Sequence, residues 1–188
     1  MKAPHGDYFD AQTKYMMDFI TVKLMEDCSM IQLKFRKAAE EDVPGLLKLF
    51  KETLMDVYGQ ILPIDMLKPW IEGERLSADV DKLWPYMVVA EKAGEIVAAA
   101  ARIEDLVALL WVHPAHHRRG IGSNLLDIVE TDLMMSGYET ARLECFSENH
   151  QAMGFYRAKG WEPLREEMDK EVGVLKVVMT KNLPKMGR

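Results

Sequence analysis

The chain has 188 residues, 48% of them hydrophobic and 29% charged, with a formal net charge of −6. This is the composition of one ordinary globular domain and excludes a disordered or fibrous protein. The acidic balance also argues against a nucleic-acid footprint, which is normally basic.

The start of the chain lacks the apolar core and small-residue cleavage site of a signal peptide. Tyr15, Met16, Phe19, Ile20 and Leu24 recur at helical spacing, so residues 10–26 are expected to form an amphipathic helix with Asp10 as its N-cap. Residues 1–30 are therefore set apart as an extension whose apolar stripe packs on the domain or serves as a homodimer surface. The domain proper is expected over residues 31–188.

From residue 31 the pattern becomes regular. Ile31, Leu33 and Phe35 alternate with polar residues as in a half-buried strand. Glu40–Tyr58 carries Val43, Leu46, Leu47, Phe50, Leu54 and Val57 at helical spacing. Gly59, Pro63 and Pro69 mark residues 59–70 as broken loop with a short helix, followed by a helix or turn over Glu72–Leu83. Tyr86–Glu91 and Glu95–Ile103 form a hairpin around Ala93-Gly94. Leu106–Val112 is a buried strand and the longest unbroken apolar run, far short of the roughly 20 residues that cross a bilayer. A helix follows, with Leu125, Leu126, Val129, Leu133 and Met134 on one face and Gly137 as its C-terminal cap. Then come a strand over Ala141–Phe146, a helix over Asn149–Lys159, and strands over Trp161–Glu166 and Val172–Thr180. The order predicts an α/β fold: a mixed, mostly antiparallel sheet with helices on both faces. Two cysteines, Cys28 and Cys145, cannot staple a domain of this size, so a reduced, cytoplasmic protein is expected.

The most informative stretch joins the strand Leu106–Val112 to a helix through His116-His117-Arg118-Arg119-Gly120-Ile121-Gly122. Unpaired N–H groups and the helix dipole make such a helix start attractive to phosphate. Glycines allow close backbone approach, and Arg118 and Arg119 add positive charge. Ser123-Asn124 and Leu125 stand where the triphosphate loop and the dinucleotide fingerprint require other residues. By itself the turn fits either a phosphate cradle or a structural glycine turn.

Downstream lies Asn149-His150-Gln151-Ala152-Met153-Gly154-Phe155-Tyr156, followed by Gly160-Trp161. Together with Val112-His113-Pro114 and the glycine turn, this segment closely resembles the GNAT acetyltransferase superfamily over about four-fifths of the chain. The resemblance implies an acetyl-CoA-dependent N-acetyltransferase acting on a primary amine, of a small molecule or of a protein, without a metal. It assigns the pyrophosphate to Arg118, Arg119, Gly120, Ile121, Gly122 and Ser123. The pantetheine arm falls to the strand residues Leu110, Trp111 and Val112, and a further cofactor contact to Asn149. The departure is His117, where the family carries Gln or Arg; cradling by backbone amides does not depend on that side chain.

Acetyl transfer needs a deprotonated amine, a stabilised oxyanion and a protonated leaving thiolate. The resemblance gives the acid role, next to the cofactor, to Tyr156, and the oxyanion to a backbone N–H of Leu110–Val112. Leu143-Glu144-Cys145 is similar to a segment whose glutamate is the base in the family's protein N-terminal-amine branch. Glu144 is accordingly the candidate base or, alternatively, a strand glutamate paired with a lysine or arginine. Tyr58, Asp65, Trp70, Glu72, Glu74 and Asp79 make the region before residue 85 aromatic and acidic, as a cationic acceptor or a solvated face would require. His113, His116 and His117 lack the companions of a metal site. A non-catalytic acyl-CoA sensor, or a transferase of another short acyl chain, shares all of these features.

Overall fold

A computed structural model describes residues 33–185. The extension 1–30 and its expected helix lie outside the described residues. Strand β1 (Leu33–Lys37) pairs with β2 (Met87–Lys92), which turns into β3 (Glu95–Ile103). Both turn residues, Ala93 and Gly94, have positive φ (52° and 83°), the geometry that closes a two-residue hairpin without splaying its strands. β3 runs antiparallel to β4 (Leu106–Val112), and β4 lies parallel to β5 (Thr140–Phe146). β5 pairs antiparallel with β7 (Leu175–Asn182), and β6 (Glu162–Met168) forms the outer edge. The sheet order is β1-β2-β3-β4-β5-β7-β6. This is the mixed, mostly antiparallel α/β architecture that the sequence predicts.

Helices cover both faces. α4 (Ile121–Met135) and α5 (His150–Ala158) pack on the side of Phe35, Val88, Ala98 and Ala100. α1 (Val43–Thr53) and α3 (Arg75–Leu83) pack on the side of Met87, Val89, Ala99 and Ala101. Successive β3 residues thus serve opposite cores, as a period of two requires. Ala98–Ala101 are fully buried, and their small side chains let helices approach the sheet from both sides.

Some boundaries differ from expectation. The region Glu40–Tyr58 divides into a 3₁₀ turn (Glu40–Asp42), α1, and a π turn (Leu54–Tyr58). The wider last turn accompanies the packing of the Tyr58 ring onto Trp111 and Phe146. The short helix expected within residues 59–70 is α2 (Ile64–Ile71), which tolerates Pro69 near its end. The last strand starts at Leu175 rather than Val172, because the Asp169 carboxylate accepts the N–H groups of Glu171 and Val172 and holds them in a turn.

One buried polar network links α4 to the far half of the sheet. Trp161 donates its indole N–H to Glu130 at 2.9 Å, and Lys181 meets the same carboxylate at 2.6 Å. Removing the carboxylate strands a buried N–H and an ammonium. Glu130→Ala is expected to lose about 2–4 kcal/mol of unfolding free energy, and Glu130→Gln clearly less, because Gln still accepts from Trp161. Urea titrations of the two variants check this; equal losses would mean that the network contributes nothing specific.

Candidate active site

β4 and β5 touch at only two register positions, Leu106 with Arg142 and Val107 with Leu143. At this closed end Asp105 grips Arg142 through two hydrogen bonds of 2.7 and 2.8 Å, and Arg142 N–H donates to the Asp105 carbonyl at 2.9 Å. Just beyond, the β3–β4 register slips, leaving Ala108 as an extra residue. Such a bulge bends its strand. β4 then leaves β5, which stays paired with β7 throughout Thr140–Phe146.

The gap exposes a defined edge. His113 N–H donates to the Val97 carbonyl at 2.9 Å, so residue 113, and residue 111 before it, address β3. Leu110 and Val112 therefore turn their backbone groups the other way, into the gap. This edge leads to the start of α4. Arg118 and Gly120 adopt left-handed φ of 57° and 78°, and the first intrahelical bond runs from Asn124 N–H to the Gly120 carbonyl at 3.0 Å. The N–H groups of Ile121, Gly122 and Ser123 precede that bond and face out of the helix end. A Cβ on Gly122 would sit 3.4 Å from Val112 and 3.8 Å from Phe155, ordinary contact distances that show how close the helix start lies to the end of β4. At Gly120 the constraint is conformational, since a Cβ there would meet nothing within 4 Å.

The resulting cleft has a volume of about 580 Å³. Of the predicted site residues, Leu110, Trp111, Val112, Arg118, Gly120, Ile121, Gly122, Ser123, Glu144, Asn149 and Tyr156 line it, whereas Arg119 does not. Asn149 caps α5, its side-chain oxygen accepting the Ala152 N–H at 3.1 Å. Tyr156 is 8% exposed, and burial holds its phenol well above the ordinary range. Cys145 and Tyr58 also line the cleft. Burial pushes the thiol up to about 11, and burial with the neighbouring thiol pushes Tyr58 up to about 12. The interior therefore holds neutral hydroxyl and thiol groups. Glu144 sits at the rim, half exposed, in a 2.7 Å ion pair with Lys176. Lys176 also lies 3.5 Å from Glu167 and 3.7 Å from Asp169.

Similarity to known proteins agrees with this geometry. The acetyltransferase (GNAT) domain profile matches residues 64–183. The chain belongs to the GNAT acetyltransferase family. Its fold is similar to that of a GCN5-related N-acetyltransferase from Rhodopseudomonas palustris (TM-score 0.68, 17% identity, covering 83% of this chain and 99% of that one). PaiA N-acetyltransferase from Thermoplasma acidophilum, solved in complex with coenzyme A, has a TM-score of 0.66 at 18% identity, covering 80% and 99% of the two chains. The ribosomal-protein-S18-alanine N-acetyltransferase from Escherichia coli has a TM-score of 0.61 at 16% identity, covering 84% and 97%.

In this GNAT protein the aromatic and acidic segment before residue 85 supplies less of the cleft than expected. Of its singled-out residues only Tyr58 lines it. Asp65 pairs with Lys68, and Trp70 lies under the Arg75 guanidinium at 4.3 Å. Local pattern missed Thr53, Gln151, Asp169 and Lys176, which also line the cleft. Asp169 and Lys176 arrive from the β6–β7 hairpin, whose placement beside Glu144 depends on strand pairing rather than on nearby sequence.

Burial of Cys145 links stability to pH. The thiol is held from an ordinary 9.0 up to about 11. Between these values the unfolded chain has lost the proton and the folded one keeps it, so stability falls as pH rises. Cys145→Ala is expected to flatten that fall by about 1.4 kcal/mol per pH unit. Urea titrations at closely spaced alkaline pH values test the point, and an unchanged slope would show that the thiol is not buried.

Proposed function

We propose that this protein is an acetyl-CoA-dependent N-acetyltransferase that moves the acetyl group directly to a primary amine. The observation that carries the reading is the continuous path from the open edge of β4 to the outward-facing amides of α4. An amide-bearing arm needs strand-like partners, which Leu110 and Val112 offer, and a pyrophosphate needs clustered N–H groups, which the turn before α4 offers. That the PaiA protein, similar in fold, was solved in complex with coenzyme A supports the reading of the donor.

The bound donor supplies an acyl thioester. On this reading the backbone groups of Leu110 and Val112 hold the arm and an N–H of one of them holds the oxyanion, whereas Trp111, whose backbone addresses β3, offers only its ring. Arg118, Gly120, Ile121, Gly122 and Ser123 hold the phosphates, with the exposed Arg119 adding charge nearby, and Asn149 contacts the arm. Glu144 accepts the proton of the incoming ammonium, directly or through water, with Lys176 fixing its carboxylate. The C–N bond forms as the C–S bond breaks; Tyr156 donates its proton to the departing sulfur, which leaves as a thiol, and the second proton of the attacking nitrogen returns to the phenolate, leaving a neutral amide. The Tyr58 ring, which packs against both Trp111 and Phe146, lines the acceptor side with them.

Calorimetric titration of acetyl-CoA into wild type and Gly120→Glu tests the donor site. Wild type is expected to bind. The variant should bind at least about 30-fold more weakly, from left-handed backbone strain and the added negative charge. No binding by folded wild type would overturn the reading. Tyr156→Phe is expected to keep donor affinity while lowering amine-dependent thiol release about 10²–10⁴-fold. A sensor that only binds acyl-CoA would release no thiol when amines are added.

A further inference from the structure

The two halves of the cleft lie on separate elements, and the His117 imidazole ties them together. The carbonyl of Val112 points into the gap at the end of β4. His117 Nε2 lies 2.8 Å from it. A carbonyl only accepts, so Nε2 carries the proton and donates. Nδ1 is then the acceptor, and the Gln151 amide donates to it at 3.3 Å. Gln151 lies in the first turn of α5. One ring therefore joins the end of β4, the turn that opens α4, and the start of α5, in one tautomer.

The next residue shows why the turn needs this hold. Arg118 has φ of 57°, a left-handed conformation that strains a residue with a Cβ. The neighbouring histidines are not placed to supply the tether. His113 faces Glu52 at 3.1 Å and accepts the Ala115 N–H at 3.2 Å, while the Nδ1 of His116 is buried with no hydrogen-bond partner among the described residues. The tether also occupies the Val112 carbonyl. The open edge is left with the Leu110 N–H and C=O and the Val112 N–H.

We propose that His117 is a positioning residue that couples the strand half of the donor site to the phosphate half. A donor carrying both an amide arm and a pyrophosphate gains from the fixed distance between the halves; a fragment that engages one half does not. The inference rests on the reading of the cleft as an acetyl-CoA site.

The test compares three ligands on the full chain: acetyl-CoA, ADP for the phosphate half, and S-acetylpantetheine for the strand half. His117→Ala is expected to weaken acetyl-CoA about five- to tenfold while each fragment stays within about twofold of wild type. His117→Gln keeps a donor for Val112 and an acceptor for Gln151, and is expected to restore acetyl-CoA binding. Acetyl-CoA affinity unchanged in His117→Ala would overturn the coupling, as would equal weakening of all three ligands. If His117→Ala does not fold, Gln151→Leu releases the ring from α5 instead. It should weaken acetyl-CoA about threefold with the fragments unchanged, and no change would again overturn the inference. Failure of wild type to bind acetyl-CoA would overturn the donor-site reading itself, whereas binding by wild type with no effect of the tether variants overturns the coupling alone.

Discussion

The parting of β4 from β5 is the constraint on which the rest of the structure depends. A sheet normally pairs every interior backbone group, because an unpaired N–H or C=O away from water is costly. Here the sheet stays closed at Leu106 and Val107 and then opens in its middle. The Asp105–Arg142 pair fixes the vertex, and the extra residue Ala108 turns β4 away. Both strands keep their outer partners, β3 and β7, so the opening leaves the sheet intact on either side. The exposed edge is tolerable only in a wet cleft or against a ligand that replaces the missing strand. The start of α4 lies beside that edge, with Gly122 packed close to the Val112 side chain.

Much of this was legible locally. Ala93-Gly94 specified the β2–β3 hairpin through turn chemistry alone. The apolar run Leu106–Val112 followed by two closely spaced glycines specified a strand, a turn and a helix start, and these became the walls of the cleft. The π turn at Leu54–Tyr58 was not legible, because helical spacing of Val43 through Val57 continues smoothly across it. Its consequence is visible only in three dimensions, where Tyr58 meets Trp111 from β4 and Phe146 from β5. The π turn thus places one ring across the mouth of the opening.

The surroundings of Glu144 were illegible for a different reason. Whether a strand glutamate faces an ammonium depends on which strand pairs with it and in what register. The β5–β7 pairing sets Glu144 opposite Val178 and Phe146 opposite Lys176. Lys176 reaches Glu144 diagonally across the strands. The Asp169 turn brings a further carboxylate to the same ammonium. No window of local sequence contains these three residues together. The same long-range logic explains why the acidic residues before residue 85 did not define the cleft. Asp65 pairs within its own helix and Trp70 packs under Arg75, and neither lines the cleft.

The cleft therefore divides into a neutral interior and a charged rim. Tyr156, Cys145 and Tyr58 stay protonated inside because burial penalises their anions. Glu144, Lys176 and Asp169 carry the charge at the edge. The division suits the proposed chemistry. An amine arrives as an ammonium, which a carboxylate-rich rim attracts, but it attacks only after losing its proton. Proton removal at the rim and bond formation in the interior keep the charged and neutral forms each in the surroundings that favour them. The product amide is neutral and loses the attraction of the rim.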